Sequence, residues 1–246
     1  MSSLHSVRGL FVTGTDTGVG KTVVTAAIAA ALRSEGKNIG VWKPVQSGAA
    51  LGQGITDAER LLKGSGMLEL PDAVSPFTFE APLAPMLAAR QAGVELTMDG
   101  LIAAGTPLAE RYDALLVEGA GGVAVPLTED ALVADFMAEL GMPALIVARA
   151  GLGTINHTLL TASYLRNRGI PLLGVILNEG GAEPAVCDLS IESNAEQIER
   201  YGGMNVLGCF PPVKDDTDTE TLIRAAAGSL SLGAIREALF GEGKLR

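Results

Sequence analysis

Val12-Thr-Gly-Thr-Asp-Thr-Gly-Val-Gly-Lys-Thr22 sets the architecture of this chain. It comes after the short apolar run Leu10–Thr13 and opens the apolar segment Thr22–Ser34, giving strand, glycine-rich loop and helix in that order. That is the context in which Gly-Lys-Thr binds phosphate, with amides at a helix N-terminus pointing at the anion. The loop from Thr17 through Gly18, Val19, Gly20, Lys21, Thr22 and Val23 is therefore expected to cradle the β- and γ-phosphates of a nucleotide. Lys21 would neutralise their oxygens, and the Thr22 hydroxyl would ligate Mg²⁺. The spacing departs from the usual G-x-x-x-x-G-K-[ST], which asks for glycine at position 15; Thr15 stands there, and Gly14 comes one residue earlier.

Beyond the loop, apolar runs at Ile39–Lys43, Ala114–Glu118, Ala144–Ala148, Leu172–Asn178 and Val206–Phe210 alternate with helical patterns. The helices are expected at Asp57–Leu62, Leu83–Ala92, Ala131–Leu140, Thr154–Arg168 and Leu189–Tyr201. Nearly all-apolar strands alternating with helices predict an α/β fold, a doubly wound, mostly parallel sheet with helices on both faces. We expect residues 1–246 to form one P-loop ATPase-like domain, with an irregular insertion at about 65–85, where four prolines fall. No internal repeat or low-complexity linker interrupts the pattern.

In open parallel sheets ligands bind outside the carboxyl ends of the strands. The residues just past each strand here are polar or glycine. Glu118 closes Ala114-Leu-Leu-Val and leads into Gly119-Ala-Gly-Gly122. A carboxylate at the end of an apolar strand is costly unless a cation or donor meets it, so Glu118 is a candidate metal ligand and Gly119, Ala120 and Gly121 candidate nucleotide contacts. Asp57 comes after Thr56 at a helix start, a position that helix electrostatics alone would also explain. Lys43 is the only charge in Ile39–Val45 and would bring a second cation to the γ-phosphate, as phosphoryl transfer to an anionic acceptor needs. Ser47 could donate to that acceptor or simply sit in a turn. Gly151–His157 has the small residues of another anion site, with Thr154 as helix N-cap and Asn156 in the first turn; plain capping explains it equally.

Composition narrows the partners. The chain has 18 Lys and Arg against 28 Asp and Glu, a net charge of −10, which disfavours nucleic acid and anionic membrane. Hydrophobic residues at 48% exclude a disordered chain, and no apolar run is long enough to span a bilayer. With no signal-peptide pattern at the N-terminus, the expectation is a cytoplasmic protein. Cys187 and Cys209 lack metal-ligand spacing and are expected to be ordinary small residues.

Together these segments resemble the dethiobiotin synthetase family. The phosphate loop from Val12 to Thr22, Lys43-Pro-Val-Gln-Ser-Gly48, Val117-Glu-Gly-Ala-Gly-Gly122 and Gly153-Thr-Ile-Asn-His157 match its motifs in order. The resemblance implies ATP-dependent ring closure of 7,8-diaminononanoate with CO₂. An amine carbamate attacks the γ-phosphate, and the second amine closes the mixed anhydride to a cyclic urea, releasing ADP and phosphate. It further implies Lys21 and Lys43 as catalytic cations, and Thr22, Asp57 and Glu118 as Mg²⁺ ligands. Thr17 and Ser47 would lie at the substrate, Asn178 and Pro211 at the nucleobase. Gly153, Thr154 and Asn156 would receive the substrate carboxylate from a neighbouring subunit, hence a homodimer. Ala84-Pro85-Met86 and Phe210-Pro-Pro-Val213 depart from the family pattern.

Two rivals share the architecture. A partitioning or localisation ATPase usually carries an additional lysine early in the loop, absent from Gly14–Gly18. A cobalamin-type amidase domain normally comes joined to a glutaminase domain, for which 246 residues leave no room.

Overall fold

A computed structural model describes residues 8–180 and 190–241. The elements in chain order are β1 (Arg8–Gly14), α1 (Lys21–Ser34), β2 (Ile39–Trp42), β3 (Val45–Ser47), α2 (Asp57–Ser65), α3 (Pro71–Val74), β4 (Phe77–Phe79), α4 (Pro85–Gln91), α5 (Met98–Arg111) and β5 (Ala114–Glu118). They continue with α6 (Val133–Leu140), β6 (Ala144–Arg149), α7 (Thr154–Arg166), β7 (Leu172–Asn178), α8 (Ile191–Gly202), β8 (Val206–Phe210), α9 (Thr219–Ser229) and α10 (Leu232–Phe240).

Six strands form one parallel sheet in the order β2-β5-β1-β6-β7-β8. β1 lies inside it, with Phe11 opposite both Val117 of β5 and Ala144 of β6. All six predicted strands are present and parallel, because each run is apolar on both faces and each face is covered. Leu10 and Val12 point into one layer, with Val24, Ile28 and Leu32 of α1 and Leu222 of α9. Phe11 points into the other, where its ring and that of Trp42 each meet Phe136 of α6 edge-on, at 6.2 and 5.9 Å.

Two strands and several helices lie outside the alternating pattern. α5 contains Gly100, Gly105 and Pro107, residues of poor helix propensity. Gly105 is needed for packing: a Cβ there would lie 2.5 Å from the Trp42 ring. α9 and α10 are short amphipathic segments after the last strand, where nothing in the alternation calls for more. β3 and β4 pair with each other as a separate parallel ribbon, three residues each, Val45 opposite Phe77 and Ser47 opposite Phe79. The stretch expected as an irregular insertion thus holds α3 and β4. Leu189 and Cys187 lie outside the described residues.

Candidate active site

The carboxyl ends of the strands converge on one cleft of about 690 Å³. Its floor is the phosphate loop, with Thr17, Gly18, Gly20, Lys21, Thr22 and Val23 on the lining. Gly14 explains the odd spacing. A Cβ at that position would sit 2.8 Å from Val19 Cγ2 and 3.0 Å from Lys21 Nζ, so the glycine required for a close turn is present one residue early. Val19 itself is buried beneath the loop. The Lys21 ammonium is folded back onto the carbonyl of Asp16 at 2.9 Å. Burial, together with the Lys43 charge, lowers the Lys21 pKa to about 8.

On one side of the loop four polar groups from four distant segments meet. Lys43 Nζ lies 2.7 Å from Asp57 Oδ2, 2.7 Å from Glu118 Oε1 and 3.3 Å from the Gly119 carbonyl. Thr22 Oγ1 lies 2.9 Å from Glu118 Oε1 and 3.2 Å from Asp57 Oδ1. Lys43 is 2% exposed and Glu118 1%, so both charges are held inside the protein. Burial works against the charged form of Lys43, but the carboxylates of Glu118 and Asp57 outweigh it and leave its pKa above the ordinary value. Burial would likewise raise the Asp57 pKa, and the Lys43 ammonium reverses that and holds it low. The Lys43 and Asp57 charges keep each other ionised.

Glu118 Oε2 is buried and has no hydrogen-bond partner among the described residues. A carboxylate oxygen left bare in the interior costs free energy unless something cationic meets it. Two carboxylates and a threonine hydroxyl beside a phosphate loop are the hard oxygen donors Mg²⁺ takes, through one or two carboxylates plus phosphate oxygens and water. The residues present fit that ion.

Local structure explains how Asp57 arrives there. Thr56 caps α2: its hydroxyl accepts from the Glu59 amide, while the Glu59 carboxylate accepts from the Thr56 amide at 3.0 Å and the Gly52 amide at 2.7 Å. Burial would raise the Glu59 pKa, but the Thr56 hydroxyl and these amides bring it down to about 2. The capping box places Asp57 at the first helical position.

Of the other predicted residues, Ser47, Gly121, Asn178 and Pro211 line the cleft. Gly119 and Ala120 come directly after Glu118 but are not on the lining. The Ser47 hydroxyl donates to the Leu83 carbonyl at 2.7 Å. The Asn178 side-chain amide donates to the Val19 carbonyl at 2.9 Å and accepts from the Gly180 backbone amide at 3.2 Å, which ties the end of β7 to the phosphate loop. Gly153, Thr154 and Asn156 do not line the cleft. The expectation that Thr154 caps α7 is corrected: Gly153 is the N-cap, at φ 92°, a conformation a β-branched residue resists. Thr154 is the first helical residue, buried, its hydroxyl 3.5 Å from that of Thr158. Asn156 is exposed.

Sequence reasoning passed over Arg60, which lines the cleft one turn after Asp57 and pairs with Asp216, also on the lining. Its spacing from Asp57 on α2 is a usable signal; the Asp216 partner, beyond β8, has none. Cys209 is a partly buried thiol, donating to Glu179 and pushed up to about 12 by burial and that carboxylate.

Comparison with known proteins agrees with this geometry. A family model described as an AAA domain matches residues 8–220. A ParA family ATPase from Chlorobium tepidum superposes with a TM-score of 0.53 over 96% of this chain and 98% of its own, at 16% identity. That likeness establishes the P-loop NTPase-like fold and nothing finer. The ATP-dependent dethiobiotin synthetase of Anaeromyxobacter dehalogenans (strain 2CP-C) is 49% identical over 205 residues, 83% of this chain and 90% of that protein. The enzyme of the same name from Bacillus thuringiensis is 41% identical over 237 residues, 96% of each. With identity at that level along nearly the whole chain, and with the phosphate loop, Lys43 and Glu118 segments all gathered at one cleft, this chain belongs to the ATP-dependent dethiobiotin synthetase family.

Proposed function

We propose that the protein closes 7,8-diaminononanoate and CO₂ into dethiobiotin at the expense of ATP, as a single-domain cyclo-ligase of biotin synthesis. The observation that carries the reading is the buried Lys43 ammonium held at the carboxylate edge of a phosphate-loop cleft. A switch ATPase of this architecture carries its additional lysine early in the phosphate loop, where this chain has none; here the second cation stands past β2, against Asp57 and Glu118. A ligase that must bring an anionic carbamate to an anionic phosphoryl needs a cation there.

One substrate amine adds to CO₂, losing a proton and forming the carbamate C–N bond. A carbamate oxygen then attacks the γ-phosphorus as the bond to the β-phosphate oxygen breaks and ADP leaves. The second amine attacks the carbonyl carbon, loses its proton and expels phosphate, which closes the cyclic urea. Lys43 neutralises the carbamate and the transferring phosphoryl, and Lys21 the phosphate oxygens. Thr17 and Ser47 orient the carbamate end, and the loop from Gly18 to Val23, with Gly121 on the cleft lining, holds the phosphates. Thr22, Asp57 and Glu118 would hold Mg²⁺, which neutralises charge on the phosphate oxygens. Asn178 and Pro211, on the lining beyond the loop, border the space for adenine.

The substrate carboxylate is received at the start of α7, by Gly153, Thr154 and Asn156. The family resemblance implies that this helix start serves the cleft of a neighbouring subunit, and on that ground we propose a homodimer with a shared site; that these residues do not line their own chain's cleft is compatible with it. Among the described residues no helix is long and apolar enough to cross a membrane, and we place the enzyme in the cytoplasm.

The test is phosphate release from MgATP in bicarbonate buffer, with and without 7,8-diaminononanoate. Release that requires the diamine, with a product of the cyclic urea's mass, is expected. Hydrolysis indifferent to the diamine would overturn the proposal.

A further inference from the structure

Gln46 lies in the segment that carries Lys43 and Ser47, yet it is not on the cleft lining. It is 3% exposed, and both ends of its amide are engaged. Its Oε1 accepts from the backbone amide of Ala58 at 3.0 Å, the residue directly after Asp57 in the first turn of α2. Its Nε2 donates to Thr78 Oγ1 at 2.8 Å, and that hydroxyl in turn donates to the Ser75 carbonyl at 3.0 Å. Gln46 and Thr78 face each other in the register of the β3–β4 ribbon. One amide thus fastens the start of α2 to β3, and β3 to β4.

The two ends of this brace carry opposite charges of the same cluster. Lys43 precedes Gln46 by three residues, and Asp57 precedes Ala58 by one. The Lys43–Asp57 contact of 2.7 Å joins two segments separated by the loop through Gly48, Gly52 and Gly54. Glycines give that loop little stiffness of its own. The capping box shapes α2 from inside the loop but does not attach it to the β3–β4 ribbon. Gln46 does.

We infer that Gln46 is a positioning residue for Asp57: its buried amide sets where α2 begins relative to Lys43, and thereby how tightly the site holds a divalent cation together with nucleotide. The inference rests on the reading of Asp57 as a metal ligand. Residues that orient a ligand from behind typically alter metal affinity by about 10–100-fold when replaced.

The experiment is Mn²⁺ binding, followed by its electron paramagnetic resonance signal in the presence of ADP, for the intact protein and the variants Q46M, T78V and D57N. Q46M keeps the length and loses both hydrogen bonds. T78V leaves Gln46 in place, removes the group that orients its amide, and serves if Q46M does not fold. Mn²⁺ affinity is expected to fall about tenfold or more in Q46M and T78V, while ADP affinity in EDTA stays within about twofold of the parent. Mn²⁺ affinity unchanged in the folded variants, with D57N impaired, would overturn the role of Gln46 and leave Asp57 as a ligand. An equal loss of ADP affinity in EDTA would show general damage to the cleft and also overturn it. Unchanged Mn²⁺ affinity in D57N would remove the metal role of Asp57 itself, and the inference with it.

Discussion

Replacing Lys43 with methionine isolates the energy stored in the carboxylate cluster. Methionine approximates the length of the side chain and removes the ammonium, leaving Glu118 and Asp57 facing each other with no cation between them. Glu118 is 1% exposed, so its charge has no water to retreat to, whereas the Asp57 side chain is 35% exposed and partly solvated. Breaking a buried pair costs about 3–5 kcal/mol, and the partial exposure of Asp57 puts this case at the lower end, about 3 kcal/mol. For a chain of this size each kcal/mol moves the midpoint by about 2–4 °C, so Tm should fall by about 6–12 °C. Thermal unfolding in EDTA at neutral pH measures it. Two further signs identify the cause. Added Mg²⁺ should recover part of the loss in the variant and do little for the parent, because the bare carboxylate pair becomes an open cation site. The deficit should also close in acid. With Lys43 present the Asp57 pKa lies below its ordinary 3.8, a contribution held above that pH and lost as pH falls through the lowered value. A Tm within about 2 °C of the parent at neutral pH would refute the reasoning, since it would mean the pair is no better than a surface one.

The site makes three other outcomes measurable. Lys21 titrates at about 8, so nucleotide binding at pH 8–9 should draw a proton onto it; calorimetry in two buffers of different ionisation heat should show uptake that K21Q lacks. For folding the same shift has the opposite sense: a lysine with folded pKa below its ordinary 10.5 opposes folding while charged, and its cost is relieved as pH rises from about 8 toward 10.5. G14A drives a Cβ into Val19 and toward Lys21, and overpacking of that kind costs about 1–3 kcal/mol of stability, a fall in Tm of about 2–12 °C by thermal unfolding. R149A removes the 2.6 Å pair with Asp16 of the phosphate loop, but both partners are 55% exposed, so the change in Tm should be under about 4 °C.

Much of the site can be read along the chain because its parts are local. A strand, a glycine loop and Lys21-Thr22 lie close together in sequence, and a glutamate ending an apolar strand stands out against its neighbours. The sheet is legible for the same reason: two-faced burial writes itself into continuous apolar runs. The relations among segments are not. That Lys43 faces Asp57 as well as Glu118 depends on how the loop before α2 closes, and that closure depends on Gln46, whose composition signal is nil. β3 and β4 are too short to show a period. Gly105 weakens α5 as a local pattern at the very position where the Trp42 ring needs room. Thr154 has the residue type of a cap, but the backbone conformation at Gly153 decides where the helix starts.

The order β2-β5-β1-β6-β7-β8 also bears on how the chain is made. β1 and β2 emerge first, yet neither pairs with the other: β5 lies between them, Arg8 and Ile39 both aligned with Ala114. At a synthesis rate of about 5–20 residues per second, roughly 5–20 s pass on the ribosome between completion of β1 and of β5. During that interval β1, and β2 once it is made, have unpaired edges, and α1, whose surface is buried nearly all round in the finished protein, can pack on α2 once that helix is made but still lacks α9. The nascent N-terminal third thus waits for partners made much later, and the phosphate loop cannot gain its tie from Asn178 to the Val19 carbonyl until β7 is complete.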